Sequence, residues 1–283
     1  MRNFHSRKVA KGNSRRGIGV SYVWVITVLV IAAGISIYCV LRADEQADLA
    51  ESQEPRAAII DQLHVIEPDT VFIEQATRLL EGYGFAVDLY QGTEVNVALY
   101  CRLPRYGYRL IVFRVHSALR ADGDGQNYST WLFSNEPYSE TRYLEQQLGD
   151  RLGRATIDES HPWVFAVSSG FVTEDMEGDF DNAAIIMMGC GTVLIEDMAR
   201  AFTEKGASTY IGWNERVSLE YVDTVTLELL GKLLAGGMTV NQAVTSVMSV
   251  VGPDMEYGAE LGYYPLESAD KDLEELLKRG QDT

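Results

Sequence analysis

The chain has 283 residues and a formal net charge of −17, with 41 acidic against 24 basic side chains. So acidic a surface argues against nucleic acid or an anionic membrane face as partner. Three cysteines are too few for a disulfide framework, and Cys39 falls in an apolar run.

The first 41 residues differ in kind from the rest. Arg2, Arg7, Lys8, Lys11, Arg15 and Arg16 bring six positive charges and no acid, which defines a basic segment over 1–16. Residues 17–41 then run 25 positions without a charge. About 20 apolar residues span a bilayer core, so this stretch is long enough to cross with some tilt. Basic residues precede it and Asp44, Glu45 and Asp48 follow. The positive-inside bias therefore predicts a cytoplasmic N-terminus and a cell-membrane protein whose main domain lies outside the cytoplasm. A cleaved signal peptide competes with that reading, but the run exceeds a signal h-region and its exit, Ile37-Tyr38-Cys39-Val40, is a poor cleavage site. Removing the six positive charges from −17 leaves −23 on residues 42–283.

Residues 42–56 are charged and end near Pro55, a linker composition. After it, strand and helix patterns alternate, which predicts an α/β fold around a mostly parallel sheet. The first strand covers about 57–63. Asp69 caps a helix over 70–81, stopped by Gly82 and Gly84. A strand follows at 85–90 and a short helix at 94–103. Tyr108 to Val115 (YRLIVFRV) is a buried strand ending in His116. Beyond an irregular stretch over 118–139 that holds a short strand at 130–133, the pattern predicts a helix over 138–152 and a strand of the same sheet at 163–167. Ala183 to Gly189 (AAIIMMG) is a second apolar run and ends in Cys190. A helix from about Val193 to Lys205, a strand at 208–212, helices at 218–234 and 239–250, and a short exposed helix over 270–278 complete the chain.

Ligands of open α/β sheets bind outside the carboxyl ends of the strands. A thiol and an imidazole at two such ends can meet there, although 74 residues separate them in sequence. That is what a cysteine nucleophile with a histidine base requires. Gly189 and Gly191 let substrate approach the Cys190 backbone, whose N–H is a candidate oxyanion donor, and a helix beginning near Val193 would favour thiolate. The bland alternative is a buried cysteine acting as a small hydrophobe. Among the other histidines, His5 is cytosolic, His64 ends the first strand, and His161 opens a strand and competes weakly as base.

The order strand–His, strand–Cys, helix, strand, long helix, with the segments FRVHSA, IIMMGCGT, DMARAFTEKGASTYIGW, VSLEYVDTVTLELL and LLAGGMTVNQAV, resembles the caspase–gingipain clan of cysteine peptidases, most closely its CHAT, separase-like or archaeal clostripain-like branches. The similarity covers roughly 57–250. It implies a caspase-like three-layer αβα sandwich over 57–262, preceded by the transmembrane helix and followed by a tail at 263–283. It also implies a dyad in which Cys190 is the nucleophile and His116 the base. Clan members usually carry glycine directly after the histidine, its N–H helping the oxyanion hole; Ser117 stands there and keeps the N–H.

Substrates on this reading are peptides or proteins. Trp213, Glu215 and Asp223 follow the strand after the Cys190 unit, where Trp213 would wall a pocket and either acid would receive Arg or Lys. Solvated-loop and helix-face roles explain the acids as well. Asp175, Glu177, Asp179 and Asp181 alternate as calcium ligands do, as does the 122–127 loop, although turn chemistry accounts for both. Otherwise no cofactor signature is present. Asn127-Tyr128-Ser129 matches a glycosylation sequon. The competing function is a catalytically silent domain of this fold that binds a peptide or protein.

Overall fold

The computed structural model describes residues 54–121 and 127–278. The expected basic segment, membrane span and nearly all of the linker lie outside these residues, as does most of the 122–127 loop. Among the described residues, no helix is long and apolar enough to cross a membrane.

A six-stranded sheet forms the centre. Its strands are β1 (Arg56–Asp61), β2 (Ala86–Gln91), β3 (Leu110–Arg114), β8 (Ala184–Met187), β9 (Thr209–Trp213) and β10 (Leu261–Tyr264). Their order is β10-β9-β8-β3-β1-β2, and only β10 runs antiparallel to its neighbour. The central strands are buried along their whole length, as the unbroken apolar runs predict. Alternate residues face opposite sides. Ala57, Ile59, Leu110, Val112 and Ile186 meet helices α1 (Thr70–Tyr83), α6 (Leu219–Leu234) and α7 (Val240–Val251). Ala58, Ile60, Ile111, Phe113 and Met187 face α2 (Val97–Arg102), α4 (Ser169–Glu174) and α5 (Asp197–Glu204). Fully burying side chains of this size contributes about 1.5–3 kcal/mol each, so both faces are held by substantial cores.

Local chemistry sets the helix ends. The Asp69 carboxylate accepts the Phe72 N–H at 2.9 Å, and Gly84 closes α1 at φ 111°. Thr239 and Gln242 form a capping box on α7.

Several segments depart from the sequence reading. The 138–152 stretch forms only α3 (Leu144–Leu148) and then β6 (Leu152–Ala155). The expected strand at 163–167 exists as β7 (Val164–Ser168) but belongs to a second, four-stranded antiparallel sheet, ordered β4-β5-β7-β6. Its other members are β4 (Ser117–Ala121) and β5 (Tyr128–Pro137). Leu132, Leu152, Phe165 and Val167 press one side of this sheet onto the main core. The last helix is α8 (Leu273–Leu276), capped by Asp272; its leucines are buried, so it packs onto the body.

Candidate active site

The chain enters β2 on one side of β1 and crosses to β3 on the other, so the sheet order reverses beside β1. Crevices outside the carboxyl ends of strands at such a reversal are where open sheets bind ligands. Phe113 of β3 is in register with Met187 of β8, two strands paired in parallel. His116 and Cys190 therefore leave neighbouring strands on the same rim. Both line one groove of about 510 Å³.

His116 is held from several sides. Its N–H donates to Gln62 Oε1 at 2.9 Å, and its carbonyl accepts the Phe133 N–H at 2.9 Å. Gln62 is fixed in turn, because its Nε2 donates to Asn135 Oδ1 and Asn135 Nδ2 donates back to the Gln62 carbonyl. The imidazole lies 5.9 Å from the Phe133 ring, and its Nε2 has no hydrogen-bond partner among the described residues. Burial, then the charge of Arg114 and of His161, push the ring down to about 4. At neutral pH His116 is an uncharged imidazole able to accept a proton.

That shift has a consequence for stability. An unfolded histidine binds a proton near pH 6.5, whereas the folded His116 resists it until about pH 4. The unfolded state therefore holds more protons between those values, and stability falls as pH drops from 6.5 through 4. The full contribution is about 3 kcal/mol. Urea titrations at pH 7 and pH 4 should show His116→Gln losing about that much less than the unsubstituted chain; equal losses would disprove the buried neutral ring.

Cys190 is half-buried and free, with its Sγ 3.7 Å from the Val217 carbonyl. No hydrogen bond joins it to His116. Catalytic contacts are often long before substrate binds. The Cys190 loop is shaped by three contacts. Gly191 sits at φ 63° and its N–H donates to the Glu215 carbonyl at 2.9 Å. Val193 N–H donates to the Trp213 carbonyl at 3.0 Å. Ser117 Oγ donates to the Cys190 carbonyl at 2.6 Å. Residues 190–194 are turns and α5 begins only at Asp197, so the expected helix start at Val193 is displaced by four residues. The positive end of a helix is therefore not beside Cys190.

The Ser117 hydroxyl finds room because residue 189 lacks a side chain. A Cβ built on Gly189 would come within 2.6 Å of Ser117 Oγ. Gly189→Ala should break the Ser117–Cys190 clamp and lower stability by about 1–3 kcal/mol. Chemical denaturation measures this, and a change under about 0.5 kcal/mol would contradict the clamp. The Ser117 N–H is also placed usefully. Because Phe133 N–H bonds to the His116 carbonyl, the next pair, Ser117 with Leu132, is non-hydrogen-bonded. Its N–H consequently points off the free edge of β4, and Ser117 lines the groove. The Cys190 N–H makes no hydrogen bond among the described residues, which leaves two backbone donors for an oxyanion.

The other residues singled out by sequence are distributed differently. Trp213 does not line the groove; it is buried in the core, 5.6 Å from the Tyr221 ring. Asp223 is buried and clamped by Arg114 through two bonds of 2.9 Å, so it is closed to a substrate cation. Burial raises the Asp223 carboxyl above its ordinary range despite that partner. Glu215 does line the groove, exposed at its rim. His161 is bound to Asp158 Oδ1 at 2.8 Å in a bend before β7, a strand outside the central sheet, which argues against it as the base. His64 contacts Gln91 at 3.1 Å and does not line the groove. The four calcium candidates are each turned to a different cation: Asp175 to Arg151, Glu177 to Arg105, Asp179 to Lys205, and Asp181 to Arg109. They do not converge on a common point, and among the described residues no group of three acids, histidines or cysteines could hold a metal.

No model of a known protein family matches the chain, and no curated protein matches it. The site must be read from its own geometry.

Sequence reasoning missed four contributors. Gln62 directly follows the first strand, and its side-chain role in holding His116 leaves no pattern in sequence. Val217 and Tyr257 join the groove from loops distant in the chain. Arg114 did carry a signal. An arginine within an otherwise apolar buried strand demands carboxylate partners, and these are Asp223 and Asp61, the latter at 2.9 Å.

Proposed function

We propose that the protein is a cysteine endopeptidase of caspase-like architecture, working through a Cys190–His116 dyad. The observation carrying this reading is that a free cysteine and a histidine line one groove, at the carboxyl ends of adjacent parallel strands. The αβα layering and the strand–His, strand–Cys order support it. The apolar run over 17–41 would anchor the domain in the cell membrane, with the catalytic body outside the cytoplasm.

In the reaction, Cys190 Sγ bonds to the scissile carbonyl carbon while the thiol proton passes to the His116 imidazole. The carbonyl oxygen becomes an oxyanion facing the N–H groups of Cys190 and Ser117. Collapse breaks the C–N bond, and His116 returns its proton to the departing amine. Water, deprotonated by His116, then attacks the thioester; the carboxylate product leaves and the thiol is restored.

The test is covalent labelling of the full chain with peptidyl acyloxymethyl ketones, followed by peptide mapping. Modification confined to Cys190, and lost in His116→Ala, supports the dyad. Labelling of Cys101 alone, or none at all, would favour the second reading, a silent domain that binds peptide in the same groove. Cys101 is a built-in control, since burial and the neighbouring Glu177 and Asp175 raise its thiol and so disfavour the thiolate.

A further inference from the structure

The walls of the groove say which side chain it accommodates. Val115, Phe133, Met188 and Val217 are buried apolar surfaces within it, and Ala118 and Leu194 extend the lining outward. Among the described residues, the only lining residues charged at neutral pH are Glu215 and Arg216, adjacent, exposed and opposite in sign. The Glu215 carboxylate accepts the Arg216 N–H at 2.9 Å, and the Arg216 guanidinium stacks 4.9 Å over the Tyr257 ring. Asp223 is taken by Arg114. A lysine or arginine side chain entering this space would shed water and meet no buried carboxylate, a heavy desolvation penalty. An aspartate would find, among the described residues, only the rim arginine.

A second observation concerns the shape of the ligand. β4 is the free edge of its sheet, and Ser117, Ala118 and Leu119 all line the groove. By the alternation fixed at Ser117, the Leu119 N–H also points off that edge. The Thr130 N–H, opposite Leu119, accordingly turns away from β4 and donates to Asp197 at 2.8 Å. An edge with outward N–H and carbonyl groups at every second residue is a template for an extended chain.

From these features we infer that the groove takes an extended peptide along the β4 edge, with leucine, methionine or phenylalanine immediately before the cleaved bond. The inference rests on the peptidase reading above. It replaces a basic side chain, for which the sequence offered Glu215 or Asp223, with an apolar one.

The experiment gives the full chain a set of quenched-fluorescence peptides differing only at the residue before the cleaved bond. Leucine, methionine and phenylalanine peptides should exceed lysine, arginine and aspartate peptides about thirtyfold or more in kcat/KM. Acyloxymethyl ketones ending in leucine should label Cys190 faster than those ending in lysine by a similar factor. Leu194→Glu places an acid in the groove at an exposed position and should raise the lysine-to-leucine ratio about tenfold. Turnover that prefers lysine, arginine or aspartate and disappears in Cys190→Ala would overturn this inference and leave the peptidase standing. Absence of both turnover and labelling with every side chain would overturn the two together. Selective labelling by the leucyl ketone without turnover supports the apolar pocket alone.

Discussion

Arg114→Met should lower the stability of the folded domain by about 3–5 kcal/mol, the scale seen when one partner of a buried ion pair is removed. Arg114 is almost fully buried, and every guanidinium nitrogen is used. Nε and Nη2 donate to the two Asp223 oxygens and Nη1 to Asp61 Oδ1, each at 2.9 Å. Nη1 also reaches the Glu67 carbonyl at 2.9 Å. Burial alone would lower this guanidinium, but Asp223 and Asp61 outweigh it and hold it above its ordinary value. Without Arg114, two buried carboxylates lose their counter-charge. The loss should therefore be mostly repaired by adding Asp61→Asn and Asp223→Asn, which remove those charges. Urea denaturation followed by circular dichroism measures both; a single-substitution loss under about 1 kcal/mol would contradict this account. The cluster ties β1, β3 and α6 together two residues before His116, so the substitution should also loosen the rim on which the imidazole sits.

The second large effect is kinetic. Cys190→Ala should lower kcat/KM on a leucine peptide by about ten thousand-fold, because the residual rate comes only from binding and oxyanion contacts. The fold should change by about 1 kcal/mol or less, since the thiol is only half-buried and its one hydrogen bond is weak. His116→Ala should lower kcat/KM by about a thousand-fold, within the range for a general base. The pH profile separates this role from mere support. His116 must be deprotonated to act, and in the folded chain it stays so down to about 4. The acid limb of kcat/KM should consequently fall near pH 4, well below the 6.5 of an ordinary histidine. A limb near 6.5, or an unchanged profile in His116→Ala, would remove His116 from the chemistry.

The rim of the sheet was legible in the sequence because two long apolar runs could only be buried parallel strands, and each ended in a side chain that such a strand would not otherwise carry. Helix α1 was equally legible from Asp69 and Gly84, since capping chemistry is local. Segments whose partners lie far away were not. Leu152–Ala155 is too short to display a strand period, and it exists because β7 pairs with it. The second sheet goes unrecognised as a separate sheet for a related reason: the stretches at 130–133 and 163–167 read as strands in either sheet, and nothing local says which neighbour each takes. Trp213 and Asp223 illustrate the same limit in the site. Their positions in the chain placed them beside the groove, but β9 turns the indole inward and Arg114 claims the carboxylate. Glu215, on an exposed loop with no competing partner of that strength, is the one of the three that reaches the groove.

The most direct test of the dyad is to find its covalent intermediate. Full-length chain mixed with a leucyl peptide thioester and quenched in acid within one turnover should carry a single acyl group, mapped to Cys190. The adduct should be absent from Cys190→Ala, and it should form and decay more slowly in His116→Ala. An acyl group on any other residue, or none under conditions where the peptide is cleaved, would contradict a nucleophilic Cys190.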